Sequence, residues 1–363
     1  MEQVHAPLSN HDQLNSTPPQ KEERCAFTGT GDGYAKVFFV NLAFNILTFG
    51  FYTPWAKVRR LKYFHHHTVL AGSPFEYTAD PWPIFKGRLI VVGLAIVFSL
   101  FSAVPILNVL LYVALVAIVP RLLLQTYRFR ARYSEYRGLK FHFNGTTWEV
   151  FLYSMLYRFL AVLPFGLLVP AARAAERRYL MGELQFGTSH FQARTTAGDF
   201  WRVYLISMAL GLLAFVPVSA IFFARMLAGS FFESASDESE ALLLAVFGVL
   251  FYIGLLSVVN PVFHTLVARA TWDGATVGDA TITYNPETLA TIRIALGNAA
   301  LTILTLSLAH PWCVVRLLKY KMSCLSVTSA AGLESFVGVR REEVRALGDQ
   351  AADVLDMDLD FGF

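Results

Sequence analysis

Five prolines, Pro54, Pro120, Pro170, Pro261 and Pro311, each close a strongly apolar run, and each is followed eight positions later by a basic residue: Lys62, Arg128, Arg178, Arg269 and Lys319. Pro120 and Pro170 stand 50 residues apart, as do Pro261 and Pro311. Self-similarity at this scale means one structural unit used several times. The runs before the prolines set the solvent. Residues 89–119 contain no Asp, Glu, Lys, Arg or His, and residues 203–223 and 241–260 are also uncharged. A bilayer core needs about 20 apolar residues per helix, and a helix of a water-soluble core keeps a polar face over such a length. Only 16% of the chain is charged, against about 25% in ordinary soluble domains. The chain is therefore expected to be an integral membrane protein.

The unit can be written out around its proline. An aromatic residue stands 27 positions before three of the five: Phe27, Phe143 and Tyr284. Asn41 and Asn298 lie 13 positions before theirs, and Thr48 and Thr305 lie six before. Downstream, Phe75, Phe141, Phe191 and Ile282 follow their prolines by 21 positions, whereas the last copy has Gly332 there. Around these positions FEYTA, KFHFN, HFQAR and TITYN alternate in polarity, which is strand periodicity. Each unit thus reads as an apolar helix, a proline that breaks or bends it, a basic helix lying along the membrane interface with aromatics such as Trp55 and Trp312, and one short strand. Type A units have a single apolar segment, at 34–53, 148–169 and 289–310. Type B units have a longer stretch that folds as a hairpin, at 87–119 and 200–260. The order is A-B-A-B-A.

Charge sets the expected topology. Segments 55–88, 121–140 and 171–202 carry the basic residues and belong in the cytoplasm, whereas the acidic link 225–240 is the best candidate for the outside. A single crossing by 148–169 would put the third basic block on the wrong side. Re-entrant type A segments keep every basic block inside, and protein-buried re-entrant segments are permitted. Arg158 and Pro164, in the middle of that segment, suit such a path.

Residues 41–77, NLAFNILTFGFYTPWAKVRRLKYFHHHTVLAGSPFEY, resemble the YjgN-like family of bacterial inner-membrane proteins, known chiefly as a domain of unknown function. The resemblance is carried by Asn41, Thr48, Gly50, Tyr52, Pro54, Trp55, Lys57, Arg59, Tyr63, Thr68, Gly72 and Phe75, and extends over residues 26–336 with degenerate middle repeats. It implies a location in the bacterial inner membrane and brings no catalytic residues.

Few constellations carry chemistry. His65, His66 and His67 are consecutive, so on a helix they point about 100° apart and cannot share one ion; they read as the polar end of a basic helix. Gly29, Gly31 and Gly33 suggest a phosphate loop but lack its Lys-Ser/Thr, and read as a turn entering the first helix. Lys36 and Arg293 sit near segment ends and can snorkel. Arg158 cannot, and is expected to line a polar path, bind a lipid headgroup, or pair with Glu149 or a carbonyl. Asn41, Asn45 and Asn298 suit helix–helix hydrogen bonds or substrate contact near broken helices. Three cysteines (Cys25, Cys313, Cys324) offer neither a disulfide framework nor a zinc motif.

The expected fold is an all-α polytopic membrane protein built from A-B-A-B-A repeats, with short cytoplasmic β-strands and interfacial basic helices. It comprises a disordered N-terminal lead-in at 1–25, the repeat domain at 26–336 and an acidic helix or tail at 337–363, with the C-terminus in the cytoplasm. No catalytic, cofactor or metal site is expected, and no enzyme activity. The function expected is that of a transporter, channel or lipid-handling protein, with Arg158, Asn41 and Asn298 as candidates for a polar path or lipid contact. The alternative is a non-transporting scaffold or sensor acting through its cytoplasmic layer. The expected partners are membrane lipids, with anionic headgroups at the basic helices, and not nucleic acid; a homo-oligomer is left open.

Overall fold

Where the repeat pattern showed one strand per unit, the computed structural model has two. It describes residues 21–101, 104–227, 238–330, 332–334 and 337–343. Strand β1 (Lys21–Phe27) leads into helices α1 (Gly31–Leu47) and α2 (Thr53–His67), then β2 (Thr68–Leu70) and β3 (Ser73–Tyr77). Next come α3 (Pro81–Phe101), α4 (Pro105–Arg132), β4 (Ser134–Tyr136) and β5 (Leu139–Phe143). The third excursion is α5 (Thr147–Phe151), a π-turn at Leu152–Leu156, α6 (Tyr157–Val162) and α7 (Val169–Gly182), ending in β6 (Leu184–Phe186) and β7 (Ser189–Gln192). Then follow α8 (Ala197–Leu227), α9 (Glu238–Trp272), β8 (Thr276–Val277) and β9 (Ala280–Tyr284). Helices α10 (Thr288–Leu304) and α11 (His310–Ser323) and strand β10 (Leu325–Ser329) follow, and residues 337–343 are also helical.

The ten strands form one closed antiparallel barrel in the ring order β1-β10-β9-β8-β7-β6-β5-β4-β3-β2. This overturns the all-α fold class. The physical reason is that strands of two to seven residues are not stable singly, and closure leaves no unpaired edge. Four units contribute a consecutive hairpin each. The fifth hairpin is assembled from the two ends of the chain, with Lys21 opposite Ser329 and Arg24 opposite Ser326. Strand β1 therefore begins inside the stretch read as a lead-in at 1–25. The split hairpin also explains Gly332. The fifth equivalent of Phe75, Phe141, Phe191 and Ile282 is Cys25, two residues before Phe27, as Phe75 is two before Tyr77.

Every helical excursion comes back to the barrel beside the point where it left. The Thr28 amide donates to the His67 carbonyl at 2.9 Å, Thr78 to Tyr133 at 3.0 Å, Asn144 to Glu183 at 3.0 Å, and Asn285 to Cys324 at 3.2 Å. In the fourth unit the Thr195 hydroxyl donates to the Ala270 carbonyl at 2.9 Å. Type A units are short helical hairpins and type B units are long ones. The type A turns share one geometry: Phe49, Phe165 and Leu306, each five positions before its proline, all have positive φ. Thr48 and Thr305 bond back to the helix at Phe44 and Leu301, and accept from the Tyr52 and Ala309 amides at 3.1 and 3.0 Å.

The prolines behave in two ways. Pro54, Pro170 and Pro311 sit in the first turn of α2, α7 and α11, where the missing N–H has no partner to lose. Pro120 and Pro261 lie inside α4 and α9, which run on through them. Of the expected break or bend at every proline, a break is thus seen only in the type A units; in the type B units the apolar and basic helices are one. In the first type B hairpin α3 ends at Phe101 and α4 begins at Pro105. Most of the acidic link 225–240, and the tail beyond residue 343, lie outside the described residues.

Candidate functional site

Sixteen residues after each proline stand Leu70, Tyr136, Phe186, Val277 and Val327. These side chains come from the first strand of each hairpin, and they form one apolar ring inside the barrel. Phe75, Phe141, Phe191, Ile282 and Cys25, from the second strands, form another. Alternation along β9 shows why: Ala280, Ile282 and Tyr284 are buried while Thr281 and Thr283 are exposed. The rings do not fill the lumen. A cavity of about 760 Å³ runs from them into the space between the helix ends above the barrel. Small-molecule sites occupy roughly 300–1,000 Å³, and small closed barrels can hold one small ligand.

At the hairpin-turn end the cavity is capped by the chain's own C-terminal segment. Leu333 and Val337 are buried against the lumen rings. Arg137, at the tip of the second hairpin, binds the Ala71 carbonyl at 2.7 Å and the Ser73 hydroxyl at 2.8 Å, and lies 3.5 Å from Glu334. Arg341 donates to the Arg137 carbonyl, and Thr188 donates to Glu343. At the other end the wall is a collar of helix termini, with Phe64 and His65 from α2, Trp272 from α9, and Leu318 and Lys321 from α11.

The polar groups of this wall are mostly occupied. The Tyr136 hydroxyl donates to the Leu70 carbonyl at 2.7 Å, and burial pushes its phenol up to about 12. Burial likewise pushes the Cys25 thiol up to about 11, and its Sγ lies 3.7 Å from Met322 Sδ. His65 holds the Leu61 carbonyl at 2.8 Å through Nδ1. Lys321 is the exception. Its ammonium is held below the usual lysine value by burial alone, and it makes no ion pair among the described residues.

Arg158 is bound neither to Glu149 nor to a carbonyl. Its guanidinium grips both oxygens of Glu176, Nε at 3.1 Å, and Arg173 lies 3.2 Å from the same carboxylate. Glu176 is 1% exposed. The spacing of 18 residues concealed the pair, because Glu176 looks like a solvated residue of the basic helix. Arg177 lies beside it with a buried Nε lacking a partner. Asn41 and Asn298 occupy equivalent places: each donates to a carbonyl two residues past its proline, Ala56 at 3.3 Å and Cys313 at 3.0 Å. Both bonds tie the two limbs of a type A hairpin together.

The glycine run is a helix start. Thr30 caps α1 by accepting from the Gly33 amide at 3.0 Å, and a Cβ on Gly31 would meet Trp312 at 2.3 Å. No three metal-ligating side chains converge among the described residues. Among the described residues, three helices are long and apolar enough to cross a membrane: Pro81–Phe101, Ile106–Arg132 and Val246–Trp272. Their apolar side chains face outward, with none of α3 buried, which suits a lipid solvent rather than water.

The family described as bacterial protein of unknown function (DUF898) matches residues 22–354. The chain belongs to that family. The match takes in β1 from Glu22 onward, β10 and the capping segment, so it covers the closed barrel but for Lys21. The chain is similar to the inner membrane protein YjgN of Escherichia coli O157:H7, 26% identical over 136 residues, 36% of this chain and 34% of that protein. It is also similar to the inner membrane protein YjgN of Salmonella typhimurium, 30% identical over 139 residues, 38% of this chain and 33% of that protein. The matched stretch thus spans about a third of these curated relatives' own length. No solved structure matches.

Proposed function

We propose that this chain is a lipid-handling protein of the bacterial inner membrane, whose barrel receives the apolar chain of an amphiphile. The observation that carries this reading is the cavity of about 760 Å³, walled by two apolar rings and reaching the helix collar. An apolar guest in a cavity of this size makes packing contacts along its whole lining. The barrel stands on the side to which the basic helix ends return, which the positive-inside rule puts in the cytoplasm. On this reading the type B hairpins cross the bilayer, the basic helices face anionic headgroups, and no bond is made or broken. The residues proposed from sequence, Asn41 and Asn298, then serve the hairpins that frame the cavity.

The test is native mass spectrometry of the purified protein released from detergent micelles. The expected result is a bound acyl-chain species at one per chain. Val277→Phe adds volume to the first ring, where overpacking blocks the guest, and is expected to weaken occupancy by about tenfold without unfolding the protein. A protein that carries no amphiphile and takes up none when supplied overturns the reading. A sensor role has one observation in its favour, the C-terminal segment seated on the barrel end through Arg137 and Thr188.

A further inference from the structure

Lys321 lies on the last turn of α11, on the cavity wall where the lumen opens into the collar. A lysine desolvated by apolar neighbours normally finds a carboxylate, and none within ion-pair distance is present among the described residues. The neighbouring charges are of the same sign. His264 of α9 is within electrostatic reach of Lys321, Arg173 and Arg177 together. The one carboxylate among these groups, Glu176, is already taken by Arg158 and Arg173. Arg177 keeps a buried Nε without an acceptor, and Lys321 is the one lysine or arginine on the cavity wall, whose lining holds no aspartate or glutamate. The collar thus sets one cation without an ion pair among the described residues against an apolar shaft.

We propose that the collar binds the anionic headgroup, carboxylate or phosphate, of a single-chain amphiphile, with Lys321 contacting the headgroup and the chain lying in the barrel lumen. This rests on the lipid-handling reading and names the class of lipid. A neutral amphiphile would fill the lumen and leave Lys321 desolvated and unpaired. An anionic one supplies the missing acceptor through a charge-assisted bond. The two wall residues nearest in kind do not compete: His65 spends Nδ1 on Leu61, and Tyr136 donates to Leu70.

Trp272 on the cavity wall provides the readout. The full-length protein in detergent is titrated with 12-bromododecanoic acid, 12-bromododecyl phosphate and 12-bromododecanol, and the part of the bromine quenching that is lost in a Trp272→Phe variant is followed, since the chain has six tryptophans. The expected result is that both anions bind about tenfold more tightly than the alcohol, as a charge-assisted bond at a desolvated site allows. Lys321→Met is expected to abolish that preference while leaving alcohol quenching intact, which also shows the variant folded. Lys321→Arg is expected to retain it. Equal binding of acid, phosphate and alcohol by the unaltered protein overturns the inference and leaves the lipid reading standing, as does a preference that survives Lys321→Met. Quenching by none of the three overturns both. A preference for only one anion supports the inference and identifies the headgroup.

Discussion

Glu176 is the residue on which the most charge depends. It is 1% exposed and serves Arg158 and Arg173 at once. Removing one member of a buried pair strands the other, and here the two members are not equivalent. Arg158→Ala leaves Glu176 with Arg173, whereas Glu176→Ala leaves three arginines with no carboxylate among them. Breaking a buried pair costs about 3–5 kcal/mol; because the Arg158 side chain is 41% exposed, solvent screening lowers the expected loss for Glu176→Ala to roughly 1–3 kcal/mol. Thermal unfolding in one detergent should rank Glu176→Ala clearly below Arg158→Ala. An equal or smaller loss for Glu176→Ala would show that the carboxylate is not the hub. At this scale the sequence revealed half of the arrangement. Arg158 stood out because an arginine inside an apolar segment has few explanations, but its partner lay among Arg173, Arg177 and Arg178, where an acidic residue attracts no notice. Lys321 was invisible for a similar reason, being one of several basic residues on a helix expected to face headgroups.

At the scale of elements, the barrel makes a statement about register that can be checked directly. Glu76 of β3 lies opposite Glu135 of β4, and Glu135 lies opposite Lys140 of β5. A Glu76→Cys/Glu135→Cys double variant is therefore expected to form a disulfide on mild oxidation, since directly opposed strand residues satisfy its geometry. Glu76→Cys/Lys140→Cys spans two strand spacings, about 10 Å, and is expected to stay reduced. Peptide mapping by mass spectrometry distinguishes the two, and a crosslink in the second pair alone would show a different strand order. The second strands of the hairpins were legible in the sequence because they alternate over five residues. The first strands were not. Thr68–Leu70 and Thr276–Val277 are three and two residues long, too short for a period to show, and each follows its helix almost without a break. The fold class went wrong for that reason: with half of the strands hidden and β1 read as a lead-in, the remainder could not close a ring. The signal available was the apolar residue sixteen positions after every proline, which recurs in all five units.

For the whole molecule, the hairpins decide which parts lie in lipid. The type A tips carry Phe49, Phe165 and Leu306, which are 95%, 100% and 83% exposed. Three large apolar side chains at equivalent turns, facing nothing in the protein, are at home only in an apolar solvent. On the proposed reading the tips reach no further than the edge of that solvent. Arg88 donates to the Gly50 carbonyl at 3.3 Å, and Trp55 packs edge-on against Trp82 with ring centroids 5.4 Å apart, so the first tip is level with a guanidinium and two indoles suited to the headgroup layer. The uncharged part of α3 begins at Leu89, just past that level. On the proposed reading, type A units dip into the interface and return, type B hairpins continue through the apolar layer, and the ten described strands stay on one side. Glu76, Lys140, His190 and Thr281 are exposed on strands from four different units. Single cysteines at these four positions, in a background lacking Cys25, Cys313 and Cys324, are expected to resist a membrane-impermeant maleimide in intact cells and to react after the inner membrane is opened. Reaction of the His190→Cys variant in intact cells would mean that 148–169 crosses the bilayer. Since β7 is paired on both sides within the ring, such a result would break the barrel itself, and with it the cavity on which the lipid reading stands.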